Sequence, residues 1–476
     1  MSAQIFPMDA RCHSDNDWRS EFFDFLDERL DEIDKGSIMD QLEDITGAIF
    51  RNKSSILGHL VLGFIKKNHA DLLEQEFCKC PICGKLLRAR GKVKRSLESL
   101  VGALDLYRPY FYCDRCHKGH YPLDEALGLS DSPKQYDVQD VEAWLSSELP
   151  FETASEAYER CTGDRLSASH MHETINRIAE DVEVLDVCPT QEEMEGKIEE
   201  FSRGKFRRPV MMLGIDGAHA PTRPEPSPWR GKRGKGQWKE VKGFRLYLID
   251  SKRIEHLISW HQLQDDKELA GALLRIRDGG LIAEDKVRLC AIGDGAPWIW
   301  ARVGEIFPTA REVLDFYHCS EYLHELANTQ YGRGTRKAQE WVEATFTRLF
   351  HNQLSDVIGG MKRMEATSAE AKKKLSETVR YLSNHKVRLH YRAAKRGGYH
   401  IGSGAIESAN KFIVHVRLKR SGAWWYPTCA NNILKLRCAK YNGTYDRIIE
   451  QYRKRDKERT IQKARIPNLR LSKGGP

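Results

Sequence analysis

The chain has no apolar run long enough to cross a bilayer. Its richest stretch, Ile56 to Ile65, falls well short of the roughly 20 residues a spanning helix needs. Nor does it open on the apolar segment that directs secretion, so a cytoplasmic protein without a membrane partner is expected. Disulfide scaffolding is excluded by scarcity: 12 cysteines are spread through 476 residues, four of them in two close pairs. In a reducing compartment that spacing favours a metal. Net charge is only mildly basic at +8, so the placement of cations matters more than their sum. With 40% hydrophobic and 30% charged residues, the composition is that of a globular protein. At this length about three domains are expected.

Residues 1–76 form a first region, helical from residue 17 on. Phe22, Phe23 and Leu26 share one face, and Ile56, Leu60, Leu62 and Phe64 line another, as in a packing or dimerisation element. Residues 77–130 contain Cys78-Lys-Cys80-Pro-Ile-Cys83-Gly and Cys113-Asp-Arg-Cys116-His-Lys-Gly-His120. Cys80, Cys83, Cys113 and Cys116 can supply four thiolates to a tetrahedral zinc ion. Between the pairs, Val93 to Leu97 and Leu104 to Tyr112 alternate as strands, which completes a zinc-ribbon layout. Cys78 is a spare thiol, and His117 or His120 could replace a thiolate. Four protein ligands leave no open position, so the zinc is structural. Nearby cations from Lys85 to Arg95 suit phosphates.

Residues 131–200 read as a helix-turn-helix region and linker. Val138, Val141 and Leu145 recur at helical spacing up to Pro150, and a short helix follows from Thr153 to Cys161. Gly163 sits in the turn, and Ser167 or Ser169 can cap a helix with Met171, Ile175 and Ile178 inward. His170, His172, Glu173, Asn176 and Arg177 would then face outward, toward a major groove.

The chemistry is concentrated downstream. Pro209-Val-Met-Met-Leu-Gly-Ile-Asp216-Gly is an apolar run ending in an acid and a glycine, and Val287-Arg-Leu-Cys-Ala-Ile-Gly-Asp294-Gly repeats the pattern. Apolar runs of this kind are strands buried on both faces, so each acid ends its strand at the sheet's rim. Two further strands (Phe244 to Ile249, Glu255 to Trp260), helices at Lys267 to Ile276 and Ala296 to Ile306, and a strand at Glu312 to Phe316 complete residues 205–320. Three strands, helix, strand, helix, strand is the order of an RNase-H-like core, whose first and fourth strands are neighbours. The expected class is therefore α/β. Residues 321–396 form a helical insertion, and residues 397–445 carry a final helix with Glu407 in Ile401-Gly-Ser-Gly-Ala-Ile-Glu-Ser-Ala-Asn410. On that helix Ile406, Ile413 and Val416 are expected to face inward.

Cations gather around these acids. A glycine-rich loop carries Arg230, Lys232, Arg233 and Lys235; Arg392, Lys395 and Arg396 precede Glu407; and Arg417, Lys419, Arg420 and Trp424 follow it. Cations interleaved with aromatic faces suit a phosphate backbone with partly unstacked bases. Residues 446–476 form a basic tail, read either as a disordered segment that holds DNA loosely or as a solvated helix end.

At Gly-Ile-Asp216-Gly, Gly-Asp294-Gly and Gly-Ser-Gly-Ala-Ile-Glu407-Ser-Ala-Asn the chain resembles DDE transposases of bacterial insertion sequences, nearest the ISKra-type group. Asp315-Phe-Tyr-His318 resembles the Asp/Cys-x-x-His signature of the looser Mutator-like kinship; Asp315 and His318 could equally cap and pack the end of the fifth strand. The likeness covers about residues 205 to 440. It implies that Asp216, Asp294 and Glu407 hold two magnesium or manganese ions, Asp216 bridging both, with His318 positioning water or a leaving group. It also implies binding to terminal inverted repeats and target DNA, strand transfer, a homo-oligomer, and residence at the bacterial nucleoid. An RNase-H-fold nuclease or resolvase that never joins, or a catalytically idle DNA-binding regulator, is the alternative.

Overall fold

The computed structural model describes residues 17–36, 40–224, 235–251 and 253–465, with the side chains of residues 464 and 465 excepted. It is a mixed α/β protein with two sheets, dividing into two compact units: residues 1–178 with 449–476, and residues 179–448.

In the first unit, α1 (Asp17–Gly36), α2 (Leu42–Asn68) and α3 (Ala70–Leu73) precede a four-stranded antiparallel sheet, β1 (Phe77–Lys79), β2 (Leu86–Ser99), β3 (Gly102–Cys113) and β4 (Lys118–His120). The β2–β3 hairpin is longer than its alternating core suggests, with pairing from Ala89↔Phe111 to Ser99↔Gly102. Gly102 adopts φ +115°, and a side-chain carbon there would lie 2.4 Å from Ser54 Cβ, so the turn requires glycine twice over. After α4 (Pro122–Ala126) come α5 (Tyr136–Glu148), α6 (Phe151–Thr162) and α7 (Ala168–Ala179). Gly163 ends α6 at φ +78°, a left-handed cap, and Met171, Ile175 and Ile178 are buried.

The second unit begins with α8 (Gln191–Ser202). Its sheet contains β5 (Val210–Thr222), β6 (Gln237–Ile249), β7 (Ile254–Leu263), β8 (Arg288–Gly293) and β9 (Arg311–Leu314), with α9 (Asp266–Asp278) and α10 (Pro297–Ile306) on the connections. The strand order is β7-β6-β5-β8-β9: the first three are antiparallel, and β8 and β9 run parallel to β5. The residues from Val210 to Ile215 are buried throughout, as an apolar run in a central strand must be. A helical segment follows: α11 (Phe316–Tyr331), α12 (Arg336–Phe350), α13 (Leu354–Lys362), α14 (Ala369–Asn384) and α15 (Tyr391–Arg396). Then come α16 (Gly404–Ala409), a π-helical turn (Asn410–His415), α17 (Val416–Leu418) and α18 (Pro427–Asn442); α19 (Tyr445–Arg465) starts in this unit and from residue 449 belongs to the first. α18 covers the β7 edge: Asn431 accepts from Leu263 N at 2.7 Å, and buried Asn442 accepts from Ser259 N at 2.8 Å. Side-chain amides thus occupy edge groups that would otherwise invite another strand.

Three expectations need correction. β5 runs on past Asp216, because β6 stays paired with it to Thr222↔Gln237; only the pairing with β8 stops, at Gly214↔Ile292. The tail is helical over much of its length, as one of its two readings had it, but the helix is packed and not solvated. Tyr452 is buried and donates to Gln139 at 2.6 Å, and Tyr136 donates to Asp456 at 2.9 Å. Finally, Val416 is 40% exposed, whereas Ile413, Val414 and Leu418 are buried. The π turn holds more residues per turn than an α-helix, so every position after it is rotated relative to α-helical phase. The carbonyls of Phe412 and Ile413 within it accept from buried Arg437 of α18.

Candidate active site

β5 and β8 are paired in register from Val210↔Arg288 to Gly214↔Ile292. Asp216 and Asp294 stand two residues beyond that last pair on neighbouring parallel chains, which lie about 4.8 Å apart in a sheet. The backbone turns away at Gly295, where φ is +101° and an added side-chain carbon would meet Tyr381 at 2.9 Å. Ala296 N donates to Asp294 Oδ1 at 2.9 Å, and the Tyr381 hydroxyl donates to the Asp294 carbonyl at 2.9 Å.

Glu407 arrives by a different route. The Ile401–Ser403 segment is stitched to the end of β9, with Phe316 N donating to Ile401 O at 2.8 Å and Ser403 N to Asp315 Oδ2 at 2.5 Å. Asp315 is fully buried and also caps α11 through His318 N at 2.9 Å, so it acts as a structural pin, the capping alternative raised by its sequence context. α16 then docks on the sheet: Ile406 fills the space left by Gly214, and Arg245 of β6 donates to Ala405 O at 2.8 Å. Ser403 Oγ donates to Glu407 Oε1 at 2.5 Å.

The electrostatics tie these groups together. Burial pushes Asp216 up to about 6, the Gly217 amide opposes this, Asp294 pushes further upward, His318 opposes, and Glu407 adds to the rise. His318 is partly exposed, with Nδ1 3.4 Å from Glu321 Oε2. An acid held up by burial and by two neighbouring carboxylates belongs to a donor set that a hard divalent cation would relieve, since such ions take oxygen ligands. They are not closed into a cage: among the described residues, only the four thiols have ligand atoms all within 4.8 Å of one another.

That thiol set is Cys80, Cys83, Cys113 and Cys116, set apart from Cys78. Sγ–Sγ separations are 4.0 Å for Cys80–Cys116 and 3.6 Å for Cys83–Cys113. Tetrahedral zinc with Zn–S near 2.3 Å puts sulfurs about 3.8 Å apart, so the cluster is compatible with structural zinc. Within the cluster the Lys85 amide lowers the Cys83 thiol to about 7, whereas burial pushes Cys116 up to about 12. His120 is buried with Nε2 3.5 Å from Cys80 Sγ, beside the cluster.

The cationic residues divide. Lys235, Arg392, Lys395, Arg396, Lys419 and Arg420 are exposed, and Trp424 is 43% exposed, packed over Gly236. Residues around Trp425 pair with the end of β5, Trp425 N donating to Pro221 O at 3.1 Å, and Lys419 Nζ lies 5.7 Å from the Trp238 ring. Arg417, assigned to DNA from its neighbours in sequence, is instead 1% exposed against Trp425, carried inward after the π turn. Arg177 also turns inward, donating to Tyr452 Oη at 2.7 Å and Gln139 Oε1 at 2.9 Å. His170 leans to buried Glu142 at 3.5 Å, while His172 and Asn176 stay partly exposed. Arg230, Lys232 and Arg233 lie outside the described residues.

Residues 281–455 are similar to a family described only as Uncharacterised protein family (UPF0236). No curated protein matches the chain. Among solved structures, the Drosophila P element transposase strand transfer complex is similar at 10% identity and a TM-score of 0.25, over 67% of this chain and 81% of that one. No helix among the described residues is long and apolar enough to cross a membrane.

Proposed function

We propose that the chain is a DNA transposase that binds the terminal inverted repeats of its element and cuts and joins DNA at Asp216, Asp294 and Glu407. What supports this most is the convergence on Asp216: a second acid just past the end of the adjacent parallel strand, and a third on a helix docked over Gly214. The β7-β6-β5-β8-β9 order supports reading residues 205–320 with 397–445 as an RNase-H-like core, and residues 321–396 as its helical insertion.

Two magnesium or manganese ions bound by the three carboxylates would stabilise the attacking and departing oxygens of an in-line displacement. In the first step water adds to phosphorus at the element's end, the bond to the 3′-oxygen breaks, and that oxygen leaves as a hydroxyl. In the second, the hydroxyl oxygen adds to a target phosphorus, its proton passes to solvent, and the target's 3′-oxygen departs. His318, which acts on the Asp216 charge, orients water or the leaving group. Lys235, Lys419, Arg420 and Trp424, with Arg392, Lys395 and Arg396, hold the phosphate backbone. The zinc-ribbon module (77–130) and the helix-turn-helix region with its linker (131–200) bind the repeats, with the helical region (1–76) ahead of them and a basic segment (446–476) at the end. A homo-oligomer at the bacterial nucleoid brings two ends together.

A strand-transfer assay on element-end DNA tests this. Asp216→Asn should keep DNA binding and lose magnesium-dependent cleavage and joining. Unchanged cleavage by that variant would remove Asp216 from the centre. Hydrolysis without joining by the unaltered chain would favour a resolvase-like nuclease, and binding with neither step would favour an idle regulator.

A further inference from the structure

Both oxygens of Asp216 already have a donor. Oδ1 accepts from Gly217 N at 2.8 Å, and Oδ2 accepts from Asn410 Nδ2 at 2.8 Å. Asn410 opens the π turn three residues past Glu407, and it is 4% exposed. Its own oxygen, Oδ1, is buried without a hydrogen-bond partner. Close by lies His261 of β7, wholly buried, with both ring nitrogens also lacking a partner. Burial holds the ring down to about 3, Arg245 adds to that, and the Asn410 carboxamide opposes it. The imidazole is therefore neutral, with one N–H to donate.

Packing alone does not account for this histidine. A side-chain carbon on Gly243 would lie 2.1 Å from His261 Cδ2, so the neighbouring strand gives up a side chain to admit the ring. Burying three unpaired polar atoms beside one another is costly unless they serve each other.

We infer that His261 and Asn410 are positioning residues: an imidazole N–H donates to Asn410 Oδ1, and this orients the carboxamide whose Nδ2 fixes Asp216. The relay rests on the reading of Asp216 as a metal ligand. It locks the plane of that carboxylate, so that its remaining lone pairs meet a cation without reorganisation. Groups that orient ligands in this way typically govern metal affinity by about 10–100-fold.

The test is Mn²⁺ binding to the full chain without DNA, followed by the electron paramagnetic resonance of the free ion. Asn410→Leu, close in shape and unable to hydrogen-bond, should weaken binding by about 10–100-fold while the melting midpoint is held. His261→Leu should do the same, and His261→Gln, which keeps an N–H donor, should restore most of the loss. Wild-type affinity in Asn410→Leu and His261→Leu overturns the relay, as does a His261→Gln no tighter than His261→Leu. If Asn410→Leu fails to fold, the two His261 variants carry the comparison, since Gln and Leu fill similar space. Asp216→Asn separates the two levels. Affinity unchanged in Asp216→Asn removes the cation site itself, whereas affinity lost there but kept in Asn410→Leu removes only the relay.

Discussion

Gly214 and Ile406 are in contact: a side-chain carbon on Gly214 would lie 3.0 Å from Ile406 Cβ. The glycine is two residues before Asp216 and the isoleucine is next to Glu407, so this one contact sets how closely a distant helix approaches the strand that carries the first acid. Gly214→Val should push α16 outward and reduce metal-dependent cleavage at least tenfold, with DNA binding retained. Adding Ile406→Ala should recover part of the activity, because the two sites share one space. A cleavage assay on the single and double variants checks this, and full activity in Gly214→Val would show that the approach is not needed.

The four-thiol cluster should hold one zinc ion per chain, measured by elemental analysis. Cys113→Ser should lose the metal and lower the thermal midpoint, since a structural site contributes folding energy directly. Cys78→Ser should keep both, because Cys78 stands outside the cluster.

Glu142 should make stability depend on pH. It is fully buried; burial pushes it up to about 7, Thr174, which donates at 2.9 Å, and Lys134 oppose this, Glu98 adds to it, and Arg177 opposes it. A carboxyl raised in the folded state contributes stability that is complete below its unfolded value near 4.5. That stability is lost as pH rises through about 7. His170, lowered by burial, works in the opposite sense and loses stability on acidification. Glu142→Gln should therefore flatten the fall between about pH 4.5 and 7, by up to about 3 kcal/mol, in urea midpoints taken across that range.

Arg417 and its neighbours should separate stability from binding. Arg417→Ala should destabilise the chain by about 3 kcal/mol, because it removes a wholly buried side chain packed against the Trp425 ring and leaves a cavity. Lys419→Ala and Arg420→Ala, both exposed, should leave the melt unchanged and weaken DNA binding, each lowering the salt slope by about one. Binding isotherms at several salt concentrations, set beside thermal melts, distinguish the two outcomes.

The elements most legible in the sequence were those with a strong local signature. The run into Asp216 and the repeat into Asp294 announced buried strands, and the paired cysteines announced their cluster. α5 to α7 followed from spacing, with Gly163 as the cap. Asn410 lay inside the motif that drew attention to Glu407, at the i+3 spacing that shares a helix face, yet nothing local distinguished it from a surface amide. Tyr381 and His261 carried no signal, since each matters only through a partner far away in the chain.

By itself, the sequence determined what neighbouring residues decide among themselves: which stretches are strands or helices, which thiols are spaced for a metal, and which acids follow apolar runs. Periodicity and short spacings act over a few residues, so they can be read without a fold. Only the tertiary structure decided the registers, the docking of Ile406 on Gly214, and the π turn that turned Val416 outward and Arg417 inward. Those outcomes depend on which surfaces meet and which buried groups find donors, and such contacts exist only once the chain has closed on itself.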